Sequence, residues 1–407
     1  MTDIESVPAL VPGRVPTEAD LARWREFDRA ARRQRLDRLR ERMAAEGVDG
    51  YFGVRRENSR YVTGMELGEG EEKVAGNSGQ FFVSGTEVVV LADSRYTLQA
   101  AEDCPDARVE QVYNDLVSRW ADLLESLGRP RRLAVEAGFV SHAMWQRLAA
   151  ASAGVELVPA EGWIEELRAT KEPAELERVA AACAVADAAL ERLVPNIIPG
   201  ITEEELALQL EWEMRTSGAE ALAFDVACLF GERAALPHGS PGKRPIEAGQ
   251  VLLFDFGAQV AGYRSDMTRT LFVGEPSTRD LEIYELVASA QQAAFDALAA
   301  AVQSGERPVG REIDGAARAV IENAGRGENF GHGLGHGIGL ATHELPSLGK
   351  SAPAVPLPSP TVFSVEPGVY LDGVTGVRIE DLVLFDSDAR RLERLTSFTR
   401  EVTVVGE

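Results

Sequence analysis

The chain has 407 residues, with 42 Lys and Arg against 65 Asp and Glu and a formal net charge of -23. That length suits two domains with ordinary cores, and the acidic excess speaks against a nucleic-acid backbone or an anionic membrane surface as partner, since either would repel the chain before any contact formed. No apolar stretch approaches the roughly 20 residues that a membrane-crossing helix needs, and Cys104, Cys183 and Cys228 lie too far apart for a disulfide framework, which suits a reducing compartment.

The start, with Pro8, Pro12 and Pro16, predicts an extended arm over residues 1–19. It has no basic segment followed by an apolar run, so the expected location is the cytoplasm. From Asp20 to Glu46 apolar residues recur at helical spacing. Nine Arg fall between Arg23 and Arg42, but Glu26, Asp28, Asp37 and Glu41 interleave with them, and the segment reads as a solvated, ion-paired helix face.

Short apolar runs then alternate with helical patterns. Strands are expected at 50–54, 80–83, 87–92 and 132–135, and helices at 115–127 and from Ser141, giving an α/β domain over residues 1–167. Pro173 sits where a new helix begins, which sets the boundary of a second domain, 168–407.

That second domain carries a coarse internal repeat. Helices at 173–194 and 202–217, the latter with a Thr202/Glu205 capping box, precede strand-like runs at 223–230 and 251–256. Helices at 279–302 and 311–323, followed by Gly305 and Gly325, precede strand-like runs at 361–364 and 377–385. Two similar halves facing each other would make a site at their interface.

Acids interrupt these apolar runs. Asp255 lies within 251–256, Asp266 follows eleven residues later at hairpin spacing, Glu366 follows 361–364, and Glu380 lies within 377–385. A buried carboxylate needs a cation. Each could pair with a nearby arginine, but four of the five histidines are in the same domain, and three of them, His332, His336 and His343, fall within twelve residues. Acids and imidazole together are better explained by a metal centre. The alternating glycines at 331–339 match no phosphate-binding loop and suit close backbone approach instead. Hard oxygen donors with one imidazole fit two divalent ions, which can activate a shared hydroxide and polarise an amide carbonyl.

The strings FDV (224–226), LPHG (236–239), LFDFGA (253–258), YRSDMTRT (263–270), GHGLGHGIGL (331–340), HE (343–344), VEPGVY (365–370) and GVRIED (376–381) resemble, in order, the creatinase/aminopeptidase P/prolidase family of metallopeptidases. NSRYVTG (58–64) and DSRY (93–96) are similar to that family's N-terminal domain. The resemblance implies a creatinase-type α/β domain followed by an α+β pita-bread domain with an internal pseudo-two-fold repeat. It implies metal ligands at Asp255, Asp266, His336, Glu366 and Glu380, with Asp266 and Glu380 bridging two divalent ions, manganese first and cobalt or zinc next.

By the same resemblance His238, His343 and Glu366 would assist catalysis, and His332, Tyr370 and Arg378 would line or orient the substrate site, Arg378 from behind a bridging acid. The implied activity is an Xaa-Pro aminopeptidase or dipeptidase acting on a small peptide with proline second, in a homodimer. The alternatives are an amidohydrolase of small molecules, such as an ectoine-type hydrolase, and a non-catalytic binding protein with the same pocket. Ala341 and Leu382 stand where many members carry acids, a departure that bears on the substrate.

Overall fold

A computed structural model describes residues 16–68, 75–113 and 115–406, so the arm expected over 1–19 falls mostly outside it; the first helix, Glu18–Glu46, already includes the arm's end. The chain divides into two units, one over Ala22–Arg168 and the other containing Ala169–Glu407.

In the first unit the short apolar runs pair into one mixed six-stranded sheet, in the order Arg108–Gln111, Val88–Ala92, Phe81–Ser84, Gly50–Gly53, Arg132–Glu136, Glu156–Ala160. Its inner strands are buried along almost their whole length, which is why they read as continuous apolar runs rather than alternating ones. The two outermost strands are half exposed, Arg108–Gln111 is polar and Glu156–Ala160 carries a proline, and neither gives such a signal. Trp120 from the helix Leu116–Ser126 closes one face, its ring edge-on to Phe52 at 5.0 Å. The arginine-rich helix is not solvated throughout: Arg35 is only 2% exposed, stacks 4.2 Å over the Tyr61 ring and donates to Asp28 and the Tyr61 carbonyl.

The second unit repeats one plan twice. Helices Pro173–Leu193 and Glu203–Thr216, the latter entered through the expected Thr202/Glu205 capping box, lead into a sheet ordered Val404–Val405, Met267–Val273, Gln250–Phe256, Ala227–Phe230. Helices Thr278–Ser304 and Gly310–Asn323 lead into a sheet ordered Glu344–Leu348, Gly335–Gly337, Thr361–Val365, Asp381–Asp386, Arg391–Arg394. Val287, Ala294 and Leu298 of the long helix join Leu253 of the first sheet and Val365 and Val383 of the second in one apolar cluster.

Two expected strands are broken. Of the run 223–230 only Ala227–Phe230 is strand, with a separate short strand, Ala221–Leu222, just before the run. The run 377–385 splits into Thr375–Arg378, paired with Gly368–Leu371, and Asp381–Asp386, which belongs to the large sheet. Hydrophobicity cannot reveal that break, because both pieces are buried. It leaves Glu380 at the step between two sheets.

A fully buried ion pair anchors that step. Arg269 donates to Asp381 at 2.7 Å, to the Glu380 carbonyl at 2.5 Å and to the Phe398 carbonyl at 2.8 Å, while Gln291 and Thr396 also donate to Asp381. Burial alone would raise the Asp381 pKa, but Arg269 and Arg394 hold it below the usual carboxylate range. Replacing Arg269 by Met is expected to cost about 3 kcal/mol, because it strips a buried carboxylate of its nearest cation. Urea unfolding measures this, and a loss below about 1 kcal/mol would show that Arg394 and Arg400, each 4.0 Å from Asp381, suffice.

Candidate metal centre

Strand register brings the acids together. Asp255 pairs with Thr268 across the sheet, so Thr268 and Asp266, two residues apart, share the face that Asp255 presents. Glu366 follows the strand Thr361–Val365, and Glu380 sits at the break described above. His336 lies in Gly335–Gly337, where the pairing with Glu344–Leu348 shifts register between His336 and Gly337. All five line one cavity of about 780 Å³, together with His238, His332, His343 and Arg378.

The glycines beside His336 are needed for this closeness. A Cβ at Gly335 would run into the Ser364 carbonyl, and one at Gly337 into the Leu345 carbonyl.

One ligand atom each from Asp266, His336 and Glu380 lies within 4.8 Å of the other two. His336 Nε2 stands 3.3 Å from Glu366 Oε1 and 3.7 Å from Asp266 Oδ2. Ser364 Oγ donates to Glu366 Oε1 at 2.9 Å and Thr268 Oγ1 to Glu380 Oε2 at 2.8 Å. Arg378 donates to Asp255 Oδ2 at 2.6 Å, to Thr268 Oγ1 at 2.8 Å and to the Tyr370 hydroxyl at 2.8 Å. Its guanidinium is thus bound up with the acids and their neighbours. The Tyr370 hydroxyl in turn meets His332 Nε2 at 2.9 Å, and burial pushes its pKa up to about 12.

Two oxygens are left over. Asp255 Oδ1 and Glu380 Oε1 are buried without a hydrogen-bond partner among the described residues, a costly state for a carboxylate unless a cation meets it. Burial, then repulsion from neighbouring carboxylates, drives Asp266 and Glu380 far above the usual carboxylate range. Asp255 is also raised by burial, though Arg378 opposes the rise. Burial works against charge on His336, yet the bond and charge of Glu366 hold the imidazole up to about 9, and His336 in return holds Glu366 down to about 2 against its own burial. A cluster with surplus negative charge, orphaned oxygens and mostly hard donors has the chemistry of a divalent-cation site, and these residues fit one.

The histidines around it are differently placed. The His343 ring lies tilted at 40° against that of His336, with centroids 4.1 Å apart; burial and the neighbouring His336 lower its pKa. Burial likewise lowers that of His332. His238 is held by its loop, whose ends are pinned by the buried Glu203: its carboxylate accepts from Phe230 N at 2.8 Å, Gly242 N at 2.7 Å and Arg233 Nε at 2.9 Å. Sequence reasoning missed Glu203, Thr268 and Ser364. Thr268 and Ser364 each lie two residues from an acid on the same strand face, and that spacing was the available signal; Glu203 carried none beyond its place in the first turn of a helix.

Comparison with known proteins agrees with this chemistry. Residues 177–387 match the model of metallopeptidase family M24, and residues 35–170 match the creatinase/prolidase N-terminal domain. An Xaa-Pro dipeptidase of Pyrococcus furiosus is 32% identical over 371 residues, covering 91% of this chain and 99% of that protein. The structure of an Xaa-Pro dipeptidase from Bacillus anthracis superposes with a TM-score of 0.81 at 32% identity, covering 92% of this chain and all of that one. The structure of an X-Pro aminopeptidase from Thermotoga maritima superposes with a TM-score of 0.79 at 33% identity, covering 91% and 99%. The helix pairs and facing sheets are those of the pita-bread fold, and the chain belongs to metallopeptidase family M24, as a divalent-metal-dependent peptidase of the prolidase type with a creatinase N-terminal domain.

Proposed function

We propose that the protein hydrolyses the bond before proline in short Xaa-Pro peptides, as a dipeptidase or aminopeptidase using two divalent ions, manganese by preference. The observation that carries this reading is the pair of buried, orphaned oxygens of Asp255 and Glu380 facing the cavity that Asp266, His336 and Glu366 share. Asp255 would hold one ion, His336 and Glu366 the other, and Asp266 and Glu380 both. Bound there, the ions would polarise the scissile carbonyl and acidify the attacking water.

The chain's own groups supply the rest. Glu366, ionised at neutral pH, offers an acceptor for the proton of the attacking water. His343 is kept neutral by burial and by His336, so it can hydrogen-bond the reacting carbonyl and carry a proton onward. His238 and His332 line the same cavity. The proline nitrogen, a tertiary amide in the substrate, has no proton of its own and must gain one to leave, which gives these imidazoles their use. Arg378 orients Asp255 and Thr268, and Tyr370 in turn holds Arg378 and His332.

The homodimer and the cytoplasmic location belong to the same proposal. Among the described residues no helix is long and apolar enough to cross a membrane.

Purified protein given manganese, cobalt or zinc is expected to cleave Xaa-Pro or Xaa-Pro-Xaa peptides; inertness toward all of them, with a non-peptide amide turned over, would point to a small-molecule amidohydrolase. Asp266→Ala and His336→Ala should each reduce turnover to background with loss of bound metal, and near-normal activity in either would overturn the ligand assignment. Thr268→Val should weaken metal binding by about 10- to 100-fold, the usual effect of losing a partner that orients a ligand.

Loading must also displace the proton that Glu366 holds on His336. Because that imidazole is protonated below about 9, apparent metal affinity should rise with pH until then, by up to about tenfold per unit for one proton. A pH-indicator titration of metal-stripped protein at pH 7 should detect proton release on adding manganese, and a pH-independent affinity between 6 and 9 would contradict it.

A further inference from the structure

Unlike His332 and His336, whose ring nitrogens are hydrogen-bonded, His343 has a ring without an obvious tether. No side-chain hydrogen bond to its imidazole occurs among the described residues; its ring lies tilted at 40° against that of His336, with centroids 4.1 Å apart. Its orientation must therefore come from its own main chain. On one side Thr342 Oγ1 donates to the Ala223 carbonyl at 3.1 Å and accepts from Arg264 at 3.1 Å. On the other, Glu344 receives the ammonium of Lys171 at 2.6 Å, with the two side chains 2% and 0% exposed.

Lys171 is itself fixed. Its backbone N–H donates to the Pro360 carbonyl at 2.8 Å, and the next residue, Glu172, opens the helix Pro173–Leu193 through a capping box with Glu175. The pair also depends on Gly339: a Cβ there would strike the Glu344 carboxylate and lie 3.3 Å from Lys171 Cε. Glu344 is the residue that faces Gly337 after the register shift, so a change in its position is passed to the strand that carries His336 as well as to His343.

We propose that Lys171 is a positioning residue, which fixes the main chain beneath His343 through its buried ion pair with Glu344. A buried ion pair is a poor source of net stability compared with apolar side chains of the same volume, so its geometry is what distinguishes it. The proposal rests on the reading of His343 as a residue that meets the substrate, and its test keeps the two apart.

The variants are Lys171→Met and the double variant Lys171→Met/Glu344→Leu, assayed as zinc- and manganese-loaded full-length protein. Lys171→Met should lower kcat on an Xaa-Pro peptide by about 10- to 100-fold, the scale of an ångström-level misplacement, with KM changed by less than about threefold and metal content unaltered. It should also lower Tm. The double variant, which removes both charges of this pair, should recover Tm but not kcat.

Ring proton–carbon NMR of the zinc-loaded protein gives a readout that needs no turnover: in both variants the His343 signal should move or broaden while that of His332 stays. Recovery of kcat together with Tm in the double variant, or an unmoved His343 signal in Lys171→Met, would overturn the proposal. If the parent protein cleaves no Xaa-Pro peptide yet the His343 signal moves, the substrate reading fails and the positioning role stands.

Discussion

Carboxylates crowded into an apolar pocket repel one another, and the architecture around this site can be understood as the means of holding them there. Asp255 and Asp266 come from neighbouring antiparallel strands, but Glu366 and Glu380 come from segments about 100 residues further on that no local preference would bring to them. Three of them have a partner behind them: Arg378 for Asp255, Thr268 for Glu380, Ser364 and His336 for Glu366. Those partners satisfy some of the oxygens and leave the others turned inward. The arrangement is stable only in company with positive charge, whether that charge is a proton on His336 or a metal ion.

The step between Arg378 and Asp381 concentrates this logic. Arg378 serves Asp255, Glu380 faces the cavity, and Asp381 accepts from Arg269, which also holds the Glu380 carbonyl from behind. An acid whose oxygen must stay unsatisfied by protein is thus backed by one whose oxygens are fully satisfied. The second carries the packing so that the first is free for chemistry.

Much of this was legible in the sequence, and for a physical reason. Asp255 and Glu380 stood out because charge inside an apolar run violates the pattern that otherwise defines a strand, and the histidines because three of them cluster in the domain that carries the acids, the family resemblance then pointing to His336. The α/β alternation of the first domain and the paired helices of the second also followed from periodicity and capping residues. What escaped notice depends on contacts between distant segments. The split of 377–385 is invisible because both halves are apolar, and Glu203, Lys171 and Arg35 look like ordinary surface charges until the fold buries them. Sequence spacing also suggested that arginines adjacent in sequence might neutralise the acids, whereas the observed partners of Asp255 and Asp381 lie 123 and 112 residues away.

The break after Arg378 has a bearing on how such a chain can change. Three of four successive residues there, Arg378, Glu380 and Asp381, look toward three different neighbours across two sheets. Inserting or deleting a single residue would hand each side chain the surroundings of the next and put a cation where an open carboxylate is required. Replacement of one residue can be absorbed locally, but a change of length cannot. In this segment the protein is free to vary its spelling and not its spacing, while the exposed turn at 372–374 between the paired strands is the nearest place where extra residues could be accommodated.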